Sequence, residues 1–182
     1  MKEYPTIQTK RLFLRPFFIT DAKEVQRLAG DPKVAATLFT FNPQKNGVAE
    51  QWILDQHEHF EKGDWVNFAI TGLCHGSLMG SVGLDIDREN HTSEIMYWLG
   101  KIYWGCGYAT EAAAAVLQYG FWELQLYRIY ARYLSNNIAS GRVLQKIGMN
   151  YERHIRQHIK DDNLYEDLDV MGLVREEYNI KK

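Results

Sequence analysis

The chain has 182 residues, 46% of them hydrophobic and 24% charged, and 21 Lys and Arg against 23 Asp and Glu give a net charge of -2. This size and composition predict a single globular domain over residues 1–182. Basic residues do not outnumber acidic ones, which argues against a nucleic-acid partner. We find no apolar run of signal-peptide or membrane-spanning length, and the two cysteines have no CxxC spacing. We therefore expect a cytoplasmic protein without membrane contact or a disulfide framework.

The first half of the chain predicts two helices and four strands. Polar and apolar residues alternate in the first strand, which ends near Pro16. Thr20 and Asp21 can cap the first helix, and Gly30 and Pro32 are expected to stop it. The predicted elements, in chain order, are a strand at Arg11–Phe17, a first helix that ends at Leu28, a second helix over about Val48–Glu61, and strands at Trp65–Thr71, Ser77–Leu84 and Thr92–Leu99. A turn around Leu73–Gly76 joins the first two of these last three strands.

The second half predicts two more helices and three strands. The predicted elements are a helix at Ala109–Leu124, a strand at Tyr127–Leu134, a helix at Asn137–Ile147 and a hairpin of Tyr151–Lys160 and Tyr165–Val174 turned at Asp161–Asn163. Gly148 is expected to end the last helix in a left-handed conformation. The fold class is therefore α/β (or α+β), with about seven strands in a mixed sheet and about four helices.

A glycine-rich loop precedes the helix at Ala109. The stretch YWGCGYATEA (Tyr103–Ala112) follows a strand, and its glycines let the backbone of a helix N-terminus approach an anion closely. A P-loop would need a lysine after the glycines, and a dinucleotide fingerprint would need a third glycine where Thr110 stands. The loop is either a tight turn or an anion cradle of another kind.

Several motifs in one order carry a resemblance to a known family. EIMYWL (Glu94–Leu99), YWGCGYATEA, NIASGRVLQKIGM (Asn137–Met149), DDNLYEDLDVMGL (Asp161–Leu173) and the N-terminal TKRLFLRPF (Thr9–Phe17) cover nearly the whole chain. Together they resemble the GNAT N-acetyltransferase superfamily, and most closely its RimJ/RimL-like branch. The resemblance implies a splayed, mostly antiparallel sheet and an acetyltransferase activity.

The resemblance also implies acetyl-coenzyme A as the cosubstrate. Its pyrophosphate would rest on the main-chain amides of the loop: Gly105, Cys106, Gly107, Tyr108, Ala109 and Thr110. Trp104 stands where the superfamily usually has Arg or Gln, so the backbone is expected to supply more of the phosphate binding.

The resemblance implies two catalytic roles for the strand that carries Glu94, a general base for the amine and a hydrogen-bond donor to the carbonyl oxygen. The reacting amine must be neutral, and a glutamate at this position in the family often acts as general base, directly or through water. The alternative is an ordinary glutamate that faces solvent. The oxyanion donor would be a main-chain amide around Trp98 or Leu99, while the Trp98 side chain can be a core aromatic.

Ser140 and Asn137 are the candidates on the last helix. Ser140 shares the inward helical stripe with Leu144 and Ile147, and it could bond a carbonyl one turn earlier. The resemblance instead implies that Ser140 reaches the cofactor sulfur and that Asn137 contacts the pantetheine arm, although Asn137 could also cap its helix. The family transfers the acetyl group directly in a ternary complex, so Cys106 is expected to be incidental.

The acceptor is left open by the sequence. The branch points to a protein N-terminal α-amine, as on a ribosomal protein, and alternatives are a polyamine, an aminoglycoside, or no turnover at all in a CoA-binding domain. Acceptor specificity is expected to depend on Asp31–Gly63 and on the last hairpin.

No His, Cys or Asp cluster has metal-ligand spacing, so no metal is predicted. The protein is expected to be a monomer or homodimer.

Overall fold

A computed structural model describes residues 3–38, 47–161 and 164–180. Eight strands and six helices are found there, with short 3₁₀ turns at Ile19–Asp21 and Lys101–Tyr103. The strands are β1 (Ile7–Gln8), β2 (Leu12–Arg15), β3 (Trp65–Gly72), β4 (Leu78–Asp87), β5 (Thr92–Leu99), β6 (Arg128–Leu134), β7 (Asn150–Asp161) and β8 (Leu164–Val174). The helices are α1 (Ala22–Ala29), α2 (Pro32–Ala35), α3 (Val48–Lys62), α4 (Tyr108–Trp122), α5 (Ile138–Lys146) and α6 (Arg175–Ile180).

The mixed, mostly antiparallel sheet of the prediction is confirmed, and the counts of about seven strands and four helices are slightly low. The additional elements are β1, α2 and α6, which are all short. Pro32 was expected only to stop a helix. It instead begins α2, because Asp31 accepts a hydrogen bond from the Lys33 amide at 2.8 Å and proline needs no such bond at the first helical position. Two of the three predicted hairpin-turn residues lie outside the described ranges.

The sheet separates two hydrophobic cores. Its strand order is β1-β2-β3-β4-β5-β6-β8-β7, and only the β5–β6 pair is parallel. On one face α4 packs against residues such as Phe68, Leu84 and Ile129, and on the other α1 and α3 pack against Ala69 and Trp98. Because side chains alternate along a strand, each central strand contributes to both cores.

The sheet opens between β5 and β6. The parallel pairing covers only Thr92–Glu94 against Arg128–Tyr130, whereas β5 stays paired with β4 as far as Leu99 and β6 with β8 as far as Leu134. The last five residues of β5 and the second half of β6 therefore diverge. This opening is the splay that the family resemblance implied, and it positions the site.

Candidate active site

A cavity of about 800 Å³ occupies the opening of the sheet. One wall is formed by Ile95–Leu99 of β5 and the other by Ala131–Leu134 of β6. At one end lie the glycine loop and α5, and at the other end lie α2 with Trp52, Trp65, Asn67 and Ser81. The lining therefore extends from the glycine loop, along the unpaired end of β5, to α2.

The unpaired edge of β5 supplies main-chain groups to this cavity. The Gly100 amide donates to the carbonyl of Met79 at 2.9 Å, so it points toward β4. Along an antiparallel strand the amides point alternately to one side and the other, so the Trp98 amide, two residues earlier, also points toward β4. The same alternation directs the amides of Tyr97 and Leu99 toward the opening. Of the two predicted main-chain donors, the Leu99 amide therefore points into the cavity and the Trp98 amide does not. The Trp98 side chain is buried in the core beside α1 and α3, as the simpler interpretation held.

The glycine loop has the backbone that an anion cradle requires. Gly105 and Gly107 have φ of 76° and 78°, and Gly107 caps α4 in this left-handed conformation. The first bond inside the helix runs from the Glu111 amide to the Gly107 carbonyl at 3.1 Å. The amides of the preceding turn, from Tyr108 to Thr110, therefore have no partner within the helix and lie at the positive end of its dipole.

Two side chains hold this loop in place, and sequence reasoning missed both contacts. The indole of Trp104 donates to the Leu99 carbonyl at 2.8 Å, which ties the loop to the end of β5. Arg11 donates to the Cys106 carbonyl at 2.9 Å and to Glu111 at 2.6 Å, and its guanidinium lies 4.5 Å from the centre of the Tyr108 ring. The N-terminal motif TKRLFLRPF was the available signal, but it indicated a strand and the family resemblance and not a contact with the glycine loop.

Glu111 anchors this clamp from the helix. It accepts hydrogen bonds from the Thr9 hydroxyl at 2.7 Å and from the Arg11 amide at 2.8 Å, in addition to the guanidinium. Partial burial opposes ionisation, but these bonds hold the pKa of Glu111 below its usual value. The carboxylate is therefore kept charged beside the loop that it stabilises.

Ser140 and Asn137 lie together at the start of α5 and line the cavity. Asn137 is the N-cap, since its side chain accepts from the Ser140 amide at 3.1 Å. The Ser140 hydroxyl does not need a carbonyl one turn earlier, because it lies 2.9 Å from the hydroxyl of Tyr97 on β5. Tyr97 is a cavity residue that sequence reasoning did not single out.

Glu94 is buried, with 4% exposure, and its carboxylate is bound by Arg132. Three contacts of 2.7 to 3.0 Å join the Arg132 guanidinium to both carboxylate oxygens. Arg132 lines the cavity and Glu94 stands behind it. The exposed-strand alternative is therefore wrong, and any proton that Glu94 takes from the cavity must pass Arg132 or a water molecule.

A chain of neutral polar groups forms the floor at the α2 end of the cavity. The Ser81 hydroxyl donates to the Asn67 side chain at 2.7 Å, and Asn67 donates to Gln56 at 2.8 Å. All three residues are buried. Trp65 lines the same end, and its buried indole N–H has no hydrogen-bond partner among the described residues. This end can bind a polar group that carries no charge.

The structure thus brings nearly all of the predicted site residues around one cavity. Those that line it are Trp98, Leu99, Gly105, Gly107, Tyr108, Ala109, Thr110, Asn137 and Ser140. Glu94 stands behind Arg132, and Cys106 is exposed. Cys106 contributes its carbonyl to the Arg11 clamp.

Comparison with known proteins identifies the family. Residues 11–150 match the acetyltransferase (GNAT) domain. The chain belongs to the GNAT acetyltransferase family. This acetyltransferase is 30% identical over 179 residues to "Probable N-acetyltransferase YjcK" of Bacillus subtilis, covering 92% of this chain and 96% of that protein. It is also 25% identical to the spermidine N(1)-acetyltransferase of Escherichia coli, covering 91% and 87%.

Solved structures of the family have the same fold. A GNAT acetyltransferase from Bacillus anthracis superposes with a TM-score of 0.83 at 28% identity, over 94% of this chain and 99% of that one. RimL, a ribosomal L7/L12 α-N-protein acetyltransferase solved with coenzyme A, superposes with a TM-score of 0.84 over 93% of this chain and 98% of that one, and its 17% identity supports the fold alone.

In the described part of this GNAT chain no helix is long and apolar enough to cross a membrane, and no three His, Cys, Asp or Glu side chains group as metal ligands.

Proposed function

We propose that this GNAT enzyme transfers the acetyl group of acetyl-CoA directly to the α-amine of a protein N-terminus, within a ternary complex. The observation that carries the proposal is the cavity itself, which runs from the glycine loop, past the unpaired edge of β5, to a neutral polar floor. The two ends differ in chemistry as the two substrates do.

The cofactor end suits a phosphorylated, extended molecule. The free amides of Tyr108 to Thr110 and the helix dipole attract the pyrophosphate, and the α5 side chains of Arg142 and Lys146 add positive charge to the lining. The outward amides of Tyr97 and Leu99 can bond the pantetheine arm as an added strand would, and stabilise the oxyanion of the reacting carbonyl.

The proton chemistry favours an amine of low basicity. An α-amine has a pKa of about 7.7 to 8.0, against about 10.4 for a lysine-type amine, so much of it is already neutral near pH 8. Within the described residues no carboxylate lines the cavity. Glu94 then accepts a proton through water past Arg132, and Ser140 donates a hydrogen bond to the departing thiolate. The indirect path to Glu94 suits an acceptor that needs little deprotonation.

Calorimetric titration with acetyl-CoA, followed by thiol release against N-terminal peptides, polyamines and aminoglycosides, tests this function. Tandem mass spectrometry then locates the acetyl group on the α-amine or on a lysine side chain. Acetyl-CoA binding with peptide-dependent thiol release and an α-N-acetyl product is expected. No binding of acetyl-CoA, or an acetyl group found only on side-chain or polyamine nitrogens, would overturn the proposal.

A further inference from the structure

A serine on β4 has a hydrogen-bonding capacity that the fold leaves unused. Ser81 is buried, lines the cavity and donates its hydroxyl proton to the Asn67 side chain at 2.7 Å. We infer that the Ser81 oxygen accepts a hydrogen bond from the attacking amine and directs the lone pair of that amine at the acetyl carbonyl, which makes Ser81 a further catalytic residue. The inference rests on the proposed direct transfer, and it applies to any primary amine.

The direction of the bond between Ser81 and Asn67 is determined by the group behind it. The Asn67 side chain donates through Nδ2 to the Oε1 atom of Gln56 at 2.8 Å, so its oxygen Oδ1 is the atom that faces Ser81. A carboxamide oxygen accepts hydrogen bonds and cannot donate one, whereas a hydroxyl has one proton and two lone pairs. The Ser81 proton is therefore committed to Asn67. Within the described chain no group donates to the Ser81 oxygen.

Asn67 is held in place by its surroundings in the sheet. β2 pairs with β3 only as far as Ala69, and beyond that point the Tyr4 hydroxyl donates to the Asn67 carbonyl at 2.7 Å and accepts from its amide at 3.0 Å. Gly83 leaves room for the Asn67 side chain, because a Cβ at Gly83 would lie 2.7 Å from its oxygen. The orientation of the Ser81 hydroxyl is thus built into the buried part of the sheet.

Ser81 lies on the side of the opening that faces away from the cofactor end. It pairs with Ala69 on β3 and with Trp98 on β5, and both of these residues belong to the core of α1 and α3. The helix α5 packs its Leu144 into the other core. Directly opposite residues have Cβ atoms about 5 Å apart. The hydroxyl therefore stands beside Trp98, one residue from the Leu99 amide that points into the cavity.

Thr37 offers a second hydroxyl at the α2 end of the cavity. Its proton is also committed, since it donates to the Val34 carbonyl at 2.7 Å. Thr37 lies in the turn after α2, however, and not on a strand paired with β5. Ser81 is therefore the hydroxyl that the sheet places beside the proposed oxyanion donor.

A primary amine has one lone pair and two N–H bonds, and the proposed transfer uses each of them once. The lone pair forms the N–C bond to the acetyl carbon, and one proton leaves the nitrogen through water to Glu94. The C–S bond then breaks, and CoA departs as the thiolate with a hydrogen bond from Ser140. The second N–H stays on the nitrogen, becomes the N–H of the product amide and is the one that Ser81 binds.

The bond to Ser81 strengthens during the reaction. The nitrogen becomes positively charged as it attacks the carbonyl, and a hydrogen bond from a charged donor is about twice as strong as one from a neutral donor. An interaction that is stronger in the transition state than in the ground state accelerates the chemical step. Loss of the Ser81 oxygen should therefore lower kcat more than it raises KM.

The test compares a primary amine with the same amine after N-methylation. A secondary amine has a single N–H, so it cannot both lose this proton and keep the bond to Ser81. The two pairs are trialanine amide with its N-methylated form and propylamine with N-methylpropylamine, and rates are referred to the neutral amine. The wild-type enzyme should prefer the primary amine of each pair by about tenfold or more in kcat/KM. Equal rates for the two members of a pair would overturn the inference.

Ser81→Ala should lower kcat for a primary amine by about 10 to 100-fold and change the rate with its N-methylated form by less than about threefold. Kd for acetyl-CoA should stay within about twofold. Thr71→Val is the matched control, because it removes a buried hydroxyl that donates to the Phe13 carbonyl at 2.7 Å on β3, outside the cavity lining. It should lower stability as Ser81→Ala does and leave the preference for primary amines unchanged. Equal losses with both amines in Ser81→Ala would mean that Ser81 has only a structural role.

The two pairs of amines separate this inference from the proposed function. Turnover of propylamine without turnover of trialanine amide would overturn the proposed acceptor and leave the test of Ser81 intact. Turnover of neither primary amine by the wild-type enzyme would count against the proposed function itself and would overturn the inference that rests on it.

Discussion

The hydroxyl of Tyr97 on β5 lies 2.9 Å from the hydroxyl of Ser140 on α5 and 3.1 Å from the Ser140 carbonyl. Tyr97 has one proton to donate, so two arrangements exist. If it donates to the carbonyl, the Ser140 proton is held by Tyr97. If it donates to the Ser140 oxygen, the Ser140 proton is free to point at the sulfur of the cofactor. The second arrangement makes a chain of two donors that polarise each other.

Tyr97→Phe should therefore weaken catalysis more than cofactor binding. Burial raises the pKa of Tyr97 well above its ordinary value, so its hydroxyl stays a donor throughout the working range. Removing it should lower kcat about tenfold, corresponding to about 1.4 kcal/mol, with Kd for acetyl-CoA unchanged within about twofold.

The matched control is Tyr119→Phe, which removes a phenol from α4 outside the cavity. The double variant Tyr97→Phe/Ser140→Ala should be no slower than Ser140→Ala alone, because the tyrosine acts through the serine. Additive losses in kcat would show that Tyr97 acts separately from Ser140.

The glycine loop provides a test that separates backbone strain from ligand binding. Gly105 and Gly76 both have positive φ, 76° and 63°, and a Cβ on either would meet no atom within 4 Å. Alanine at either position should cost about 1 to 2 kcal/mol of folding free energy, for the same conformational reason. Gly105→Ala should in addition weaken acetyl-CoA binding by about tenfold.

Gly76 lies in the turn between β3 and β4, so Gly76→Ala should change stability without changing affinity. Thermal unfolding and calorimetric titration of both variants supply the two readouts. Equal Kd values for the two variants would mean that the loop backbone has no special part in holding the cofactor.

Local patterns predicted the elements around the site and missed the contacts between them. The N-cap at Asn137, the left-handed Gly148 and the start of α4 follow from neighbouring residues, and all three are found. The Arg11–Glu111 clamp joins positions 100 apart in the chain. The Tyr97–Ser140 pair likewise depends on the strand order and on where the sheet opens, which alternation along one strand does not contain.

The surroundings of Glu94 likewise depend on contacts between strands, which the pattern along one strand does not contain. Its strand alternates, and alternation alone allows a solvent-facing glutamate. Its burial depends on Arg132 from β6, which is paired beside β5 only up to Tyr130. A pattern can indicate a charged residue in a strand, but its partner 38 positions later is determined by tertiary structure.

Glu94→Gln distinguishes a base from a structural anchor for Arg132. If Glu94 takes the amine proton through water, the variant should be about 10 to 100-fold slower at pH 7. The deficit should narrow as the pH rises above about 8, because the α-amine then arrives without its proton. Asp85→Asn, directly opposite on β4, should change the rate much less. A deficit that stays constant from pH 7 to pH 9.5 would assign Glu94 a purely structural role.

The last hairpin contains a histidine whose titration can be followed directly. The His154 ring nitrogen Nδ1 lies 2.8 Å from Asp169, and Nε2 lies 3.3 Å from Asp167. The bond to Asp169 and the charge of Asp167 raise the pKa of His154 above its ordinary value. A raised pKa in the folded state stabilises the protein at low pH. The stabilisation is complete below the unfolded pKa of about 6.5 and is lost as the pH rises through the folded value.

Asp169→Asn should therefore return the pKa of His154 toward about 6.5 and lower the thermal unfolding temperature more at pH 5.5 than at pH 8.5. Asp55→Asn makes the same chemical change on α3, where Asp55 accepts a hydrogen bond from Gln51, and should leave the His154 titration unchanged. The NMR chemical shifts of the His154 ring, followed from pH 5 to pH 9, measure the pKa in each protein. A wild-type pKa at or below 6.5 would contradict the pairing of this histidine with the two aspartates on β8.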